Sequence, residues 1–396
     1  MTKIKRFSAN YIFPVSGPPI RNGIVGIDEN GFVVEIIDQG ENTEEIHSTE
    51  FHNGIIVPGF VNAHCHLELS HLKGLLKEST GIAEFVSQVR NLRKVDEQDI
   101  SKAILNAFEE LRLNGTVAVG DICNTTSTLE AKKKSTILCY NFVEQFGLSN
   151  SDAESRINQS IEIVNSFKGS GLNTVSITPH STYSLSNKLW RLIGEVASKS
   201  QSPISIHFGE SKQEYEFLAD HSGQLLDNFK KLDIKLDFPD CHSPFEVVTK
   251  FIPRDSKVIF VHNTFTSSNE IQSLIAHFKE KYFVVCPSSN LFIENSLPDI
   301  MMMKQNGANI AIGTVSYASS ATISVFDQIL ILLDKFKGLK FSEVINWATI
   351  NGARALGYDS SVGTIEIGKK PGLNLVTDFD FTLMKPTSKS RIRKLL

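Results

Sequence analysis

Between residues 55 and 314 the chain carries eight short, nearly continuous apolar runs rich in β-branched residues. They are Ile55–Val61, Thr116–Ile122, Ile137–Val143, Thr174–Thr178, Ile204–Phe208, Val258–Val261, Tyr282–Val285 and Asn309–Gly313. None shows the polar alternation of a half-exposed strand, so each suits a strand covered on both faces. Helical periodicity follows most of them, with apolar residues three and four apart in Ile100–Leu113, Ser151–Phe167, Ser186–Ser198 and Ser324–Phe336. Strands alternating with helices predict βαβ units, and eight units predict an α/β fold of the (β/α)8 TIM barrel type. The span from His64 to Val315 agrees with the ~250 residues such a barrel needs. A doubly wound open sheet competes poorly, because no Gly-rich phosphate loop follows the first run.

The chain ends follow a different pattern. Residues 4–37 hold the runs IVGI and FVVEII on either side of Asp28–Gly31, and the Asn30-Gly31 pair predicts a hairpin turn with φ > 0 at both positions. The last forty residues return to short alternating runs separated by turn residues in GTIEIGKKPGLNLV. A lone hairpin is marginal in water. The two ends are therefore expected to share one small β-sandwich domain, with residues 1–54 and 358–396 as its parts and 55–357 as the barrel.

Composition narrows the function classes. Hydrophobic residues make up 41% and charged residues 21%, the profile of a globular protein rather than a disordered or fibrous one. Forty basic against 44 acidic side chains leave a net charge of −4, which argues against a nucleic-acid partner. No apolar run approaches the ~20 residues of a membrane span, and no apolar h-region follows the first charges. Five scattered cysteines without a CxxC pair suit a reducing compartment, so a cytoplasmic location is expected. The partner expected is a small-molecule substrate, with a homo-oligomer left open.

The active site of such a barrel lies at the C-terminal ends of its strands. The runs end in His64-Cys65-His66, Asp121, Glu144, His180, His207 with Glu210, His262, Cys286 to Asn290, and Thr314-Val315-Ser316. Four of the eight ends supply histidine, although only 11 of 396 residues are histidine. His64 and His66 stand two apart, so both side chains face one side of a strand. Neutral imidazoles suit zinc or iron, and three ligands make a catalytic metal site. An HxH pair alone is weak, but His207 and His262 at further strand ends strengthen it. His180 reads better as a substrate contact than as a ligand. Glu210 can shuttle protons if burial raises its pKa, and it equally suits a helix N-terminus. Asp121 reads as a carboxylate that orients a histidine. Glu144 and Asn290 are candidates to line the pocket, and Cys65 and Cys286 read as small buried hydrophobes.

PGFVNAHCHLELS (58–70), HFGES (207–211), the lone His262, CPSSNLFIENSLPDI (286–300) and IGTVSYASS (312–320) resemble the amidohydrolase superfamily. The branch resembled is that of the cytosine, guanine, S-adenosylhomocysteine and aminofutalosine deaminases, and NGARALG…GTIEIGKKPGLNLV is similar to its C-terminal return. The resemblance implies one zinc or iron on His64, His66 and His207, with His262 near the attacking water and Glu210 protonating a ring nitrogen. It also implies substrate contact by TPHSTYSLS (178–186). Binuclear relatives need a lysine at the end of strand four; TVSITPH has none, which implies one metal. The chain departs from the pattern at one catalytic position. Where the family reads GTDS, this chain reads Gly313-Thr314-Val315-Ser316. The missing aspartate touches the metal and takes the water's proton; valine does neither.

Three readings follow. The first is a metal-dependent hydrolase of C–N bonds that deaminates an aminopurine nucleoside or related aminated heterocycle. The second is an impaired or non-catalytic relative that only binds ligand, favoured by Val315 alone. The third is hydrolysis of an amide or a chloro-substituted ring by the same machinery.

Overall fold

In a computed structural model describing residues 4–40, 45–200 and 202–396, the N-terminal strands are β1 (Lys5–Ile12), β2 (Ile20–Arg21), β3 (Ile24–Ile27), β4 (Val33–Ile37) and β5 (Thr49–Pro58). The barrel strands follow as β6 (Phe60–Cys65), β7 (Thr116–Cys123), β8 (Leu138–Gln145), β9 (Val175–Pro179), β10 (Ile204–Phe208), β11 (Lys257–His262), β12 (Glu280–Val285) and β13 (Ile310–Ile312). The chain closes with β14 (Leu373–Val376), β15 (Phe379–Asp380), β16 (Lys385–Pro386) and β17 (Ile392–Lys394).

Eight parallel strands alternate with helices, and every expected run but the first overlaps one barrel strand along most of its length. The first run is divided. Ile55–Pro58 ends β5, which pairs with β1 and β14, and only after Gly59 does Phe60–Cys65 enter the barrel. Both halves are buried on two faces, so apolar patterning gives no sign of the break. Gly59 is the sign. A Cβ there would lie 2.2 Å from Val117 and 2.6 Å from the Pro371 carbonyl, so the chain can turn from one sheet into the other only at glycine.

The chain ends meet as expected, in one seven-stranded sheet of order β17-β14-β5-β1-β3-β4 with β2 beside β1. Its apolar cluster joins both ends, with Phe7, Val25 and Ile56 against Ile365, Leu373 and Leu375. The Asn30-Gly31 turn differs from expectation. Only Gly31 takes positive φ (89°), because the Asp28 carboxylate accepts hydrogen bonds from the Asn30 and Phe32 amides and sets the turn from its first residue. GTIEIG forms no strand of its own; Ile365 donates to the Pro14 carbonyl and Gly368 to that of Val33.

The barrel is two four-stranded parallel sheets, β6-β7-β8-β9 and β10-β11-β12-β13. They join at two seams, each bridged at a single residue pair: Ser181 with His207, and Cys65 with Val315. Side chains stitch the first seam. Ser176 Oγ donates to the Pro203 carbonyl at 2.7 Å, and Ser205 N donates to Thr178 Oγ1 at 2.8 Å. Both seams carry expected site residues. No helix among the described residues is long and apolar enough to cross a membrane.

Candidate metal centre and active site

Three imidazoles converge where the two half-barrels face each other. His64 Nε2 lies 3.0 Å from His66 Nε2, which lies 3.2 Å from His207 Nε2, and all three rings are buried. His207 Nδ1 sits 2.7 Å from the His180 carbonyl, an acceptor only, so that nitrogen carries the proton and Nε2 is a bare lone pair. Burial and the neighbouring imidazoles hold His64 and His66 well below the usual histidine range, and burial together with His180 takes His207 to about 4. Neutral rings aiming nitrogens at one point, with one tautomer fixed from behind, fit a zinc- or iron-type cation. A second grouping, Glu144, His180 and His207, shares His207 but spends its Nδ1 on the carbonyl.

Glu210 and His262 stand beside this centre. Gly209 (φ 57°) turns the chain past β10 so that Glu210 folds back inward, and a Cβ there would meet Thr266 Oγ1 at 2.1 Å. Glu210 Oε1 lies 3.2 Å from His262 Nε2. Burial, with Glu214 and other carboxylates nearby, raises its pKa well above the usual carboxylate range. His262 Nδ1 lies 3.1 Å from Asn290 Oδ1, whose amide nitrogen is turned to Thr264; Nδ1 therefore donates and Nε2 is left bare. Burial holds His262 neutral, down to about 3. Asn290 thus acts on His262 instead of lining open pocket.

His180 and Glu144 lie on the opposite side of His207. The His180 ring is 4.8 Å from that of His207, and its Nδ1 is held by Ser184 Oγ at 2.9 Å. Glu144 Oε1 is 3.7 Å from His207 Nδ1, its other oxygen takes a hydrogen bond from Asn124, and burial raises its pKa.

Residues 55–392 match the amidohydrolase family. The chain belongs to that family. It is 25% identical over 333 residues to an adenosine deaminase of Helicobacter pylori, covering 82% of this chain and 79% of that one. In fold it is similar to the H. pylori aminofutalosine deaminase solved with methylthio-coformycin (TM-score 0.80, 22% identity, 94% and 92% covered). It is also similar to a zinc-bound adenosine deaminase from Xanthomonas campestris (TM-score 0.72, 19% identity, 94% and 84% covered).

In this amidohydrolase Val315 closes the second seam. Its amide donates to the His64 carbonyl at 3.1 Å, and its carbonyl accepts from the His66 amide at 2.5 Å. Its backbone is left-handed (φ 59°), a conformation Asn and Asp tolerate and β-branched residues rarely adopt. Thr314 Oγ1 is taken by Asn62, and Asp327 lies in the helix Val325–Lys335, so neither replaces a carboxylate at 315.

Asp121, expected to orient a histidine, has another task in the fold. It accepts from the Leu67 amide at 2.9 Å and pairs with fully buried Lys132 at 2.5 Å, because the helix Leu129–Lys134 folds back under β7. Two carboxylates escaped notice. Buried Glu68 accepts from Arg93 and from the Asn124 and Thr125 amides, tying the first two strand ends together. Glu214, fully buried, accepts from the Glu210 amide at 2.9 Å and from Thr182. Its signal was present: it precedes Phe217 and Leu218 by three and four residues, on the helix face that must be buried.

Proposed function

We propose that this amidohydrolase removes ammonia from an aminopurine nucleoside or a related aminated heterocycle, using one zinc or iron held by His64, His66 and His207. The observation that carries the reading is the convergence of three neutral imidazoles beside the buried Glu210 carboxyl and a lone-pair-bearing His262. The similarity to adenosine deaminase supports the substrate class. A bound cation supplies Lewis-acid activation of water and polarisation of the reacting carbon. Glu210 holds a proton at its carboxyl for delivery to a ring nitrogen. His262, with Nδ1 fixed by Asn290, offers Nε2 to orient the water. His180 and Glu144 line the substrate side. The barrel's boundaries with the terminal sheet fall at Gly59 and before β14 in this reading. A cytoplasmic location is supported by five buried cysteines, none in a disulfide.

A second reading, a ligand-binding relative with little turnover, rests on Val315. An ammonia-release screen over aminopurine nucleosides, pterins and pyrimidines decides between them, run beside elemental analysis. His207→Ala should lose most of the metal. Glu210→Gln should keep the metal and lose turnover on the order of 10²–10⁴-fold. Full metal occupancy in His207→Ala would remove the site assignment, and an unchanged rate in Glu210→Gln would remove its proton role.

A further inference from the structure

The seam between β9 and β10 has a single backbone bridge at Ser181 and His207, and it separates the loop carrying His180 from the turn carrying Glu210. Ser176 and Thr178 stitch it along the strands, and beyond the strand ends a further side chain spans it. From the helix Lys212–Asp220, Glu214 directs Oε2 to the Glu210 amide at 2.9 Å and Oε1 to the Thr182 hydroxyl. Glu214 is completely buried, so its carboxyl group has no solvent to turn to, and a partner left unmet in that interior would have no water to replace it. Within the loop it grips, short hydroxyl contacts run from Ser181 Oγ to Ser184 Oγ at 2.8 Å and from Ser184 Oγ to His180 Nδ1 at 2.9 Å. A pull on Thr182 is therefore passed to His180 through hydrogen bonds already formed.

We infer that Glu214 is a positioning residue, a clasp that fastens the turn bearing Glu210 to the loop bearing His180 beyond the strand ends at the β9–β10 seam of the barrel. The clasp stands on geometry; its effect on turnover rests on the deaminase reading. Glutamine can replace it, since its oxygen accepts from the Glu210 amide while its nitrogen donates to the Thr182 hydroxyl, which turns to accept. Alanine cannot. Thr182→Val removes one arm and keeps the shape.

The test is hydrogen–deuterium exchange on the full chain, peptide by peptide, with kcat and KM for ammonia release measured alongside. Glu214→Ala should speed exchange in peptides covering 178–186 and 204–212 by about tenfold or more, leaving the terminal sheet unchanged. Glu214→Gln should exchange like wild type. Thr182→Val should loosen 178–186, and it decides the matter alone if Glu214→Ala does not fold. In turnover, Glu214→Ala should lower kcat about tenfold or more with KM little changed, because misplacement near the reacting groups acts on the transition state. Unchanged exchange in both alanine and valine variants overturns the clasp. So does a glutamine variant as loose as alanine, or loosening spread equally over the terminal sheet. If the exchange pattern appears while no variant and no wild type releases ammonia, the deaminase reading falls and the clasp stands.

Discussion

At residue 315 the side chain and the backbone disagree. A left-handed β-branched residue carries strain on the order of 1–3 kcal/mol, and Val315 holds it because its amide and carbonyl are bound to His64 and His66. Aspartate and asparagine both relieve that strain, so Val315→Asp and Val315→Asn should each melt at or above the wild-type temperature. Only the aspartate adds a proton acceptor and a metal ligand. Ammonia release should therefore rise by at least about 10²-fold in Val315→Asp and far less in Val315→Asn. Equal behaviour of the two would mean that 315 is not the position of the missing base. Glu214 allows a second test at this scale. Burial raises its pKa from 4.5 to about 7, so the folded chain keeps a proton that the unfolded chain has released between those values. That stabilisation is full below the ordinary carboxylate range and is lost as pH rises through about 7. Glu214→Gln carries no such dependence. Its stability relative to wild type should climb between pH 5 and 8 by up to about 3 kcal/mol in urea titrations, and parallel curves would contradict the neutral, buried Glu214.

At the scale of elements, the barrel was legible because buried parallel strands leave unbroken apolar runs, and the five histidines because strand ends are fixed by those runs. What escaped depends on neighbours distant in sequence. The division of Ile55–Val61 is set by Val117 and Pro371 around Gly59, and the partner of Asp121 by a helix that brings Lys132 beneath β7. That pair fastens an element to the arm carrying His66, since Asp121 also holds the Leu67 amide next to it. Lys132→Met should cost about 3–5 kcal/mol, because it strands a buried carboxylate. Asp121→Asn combined with Lys132→Met should recover most of that, as asparagine still accepts from Leu67 without a charge. Denaturant melts that show simple additivity of the two substitutions would mean the pair is not coupled.

At the scale of the whole molecule, the terminal sheet and the barrel share a continuous stretch of chain. β5 sits between β1 and β14 in the sheet, and one residue later the same chain becomes β6, which delivers His64 and His66. Removing residues 373–396 strips β14 from one edge of β5 and uncovers Ile56. Removing residues 1–48 strips β1 from the other edge and uncovers the same side chains. Either loss leaves β5 with a bare edge and no closed apolar cluster, and a fragment of sheet so reduced is marginal in water. The two deletions should therefore lower the melting temperature to a similar degree. Both should also weaken metal retention against a chelator, if the proposed site holds a metal, because the strand that positions His64 and His66 loses its anchor at Gly59. The comparison of thermal melts and elemental analysis on the two truncated chains reads both effects. A truncation that melts like the full chain and keeps its metal would mean that the barrel holds the His64–His66 arm by itself, with the terminal sheet contributing nothing to the site.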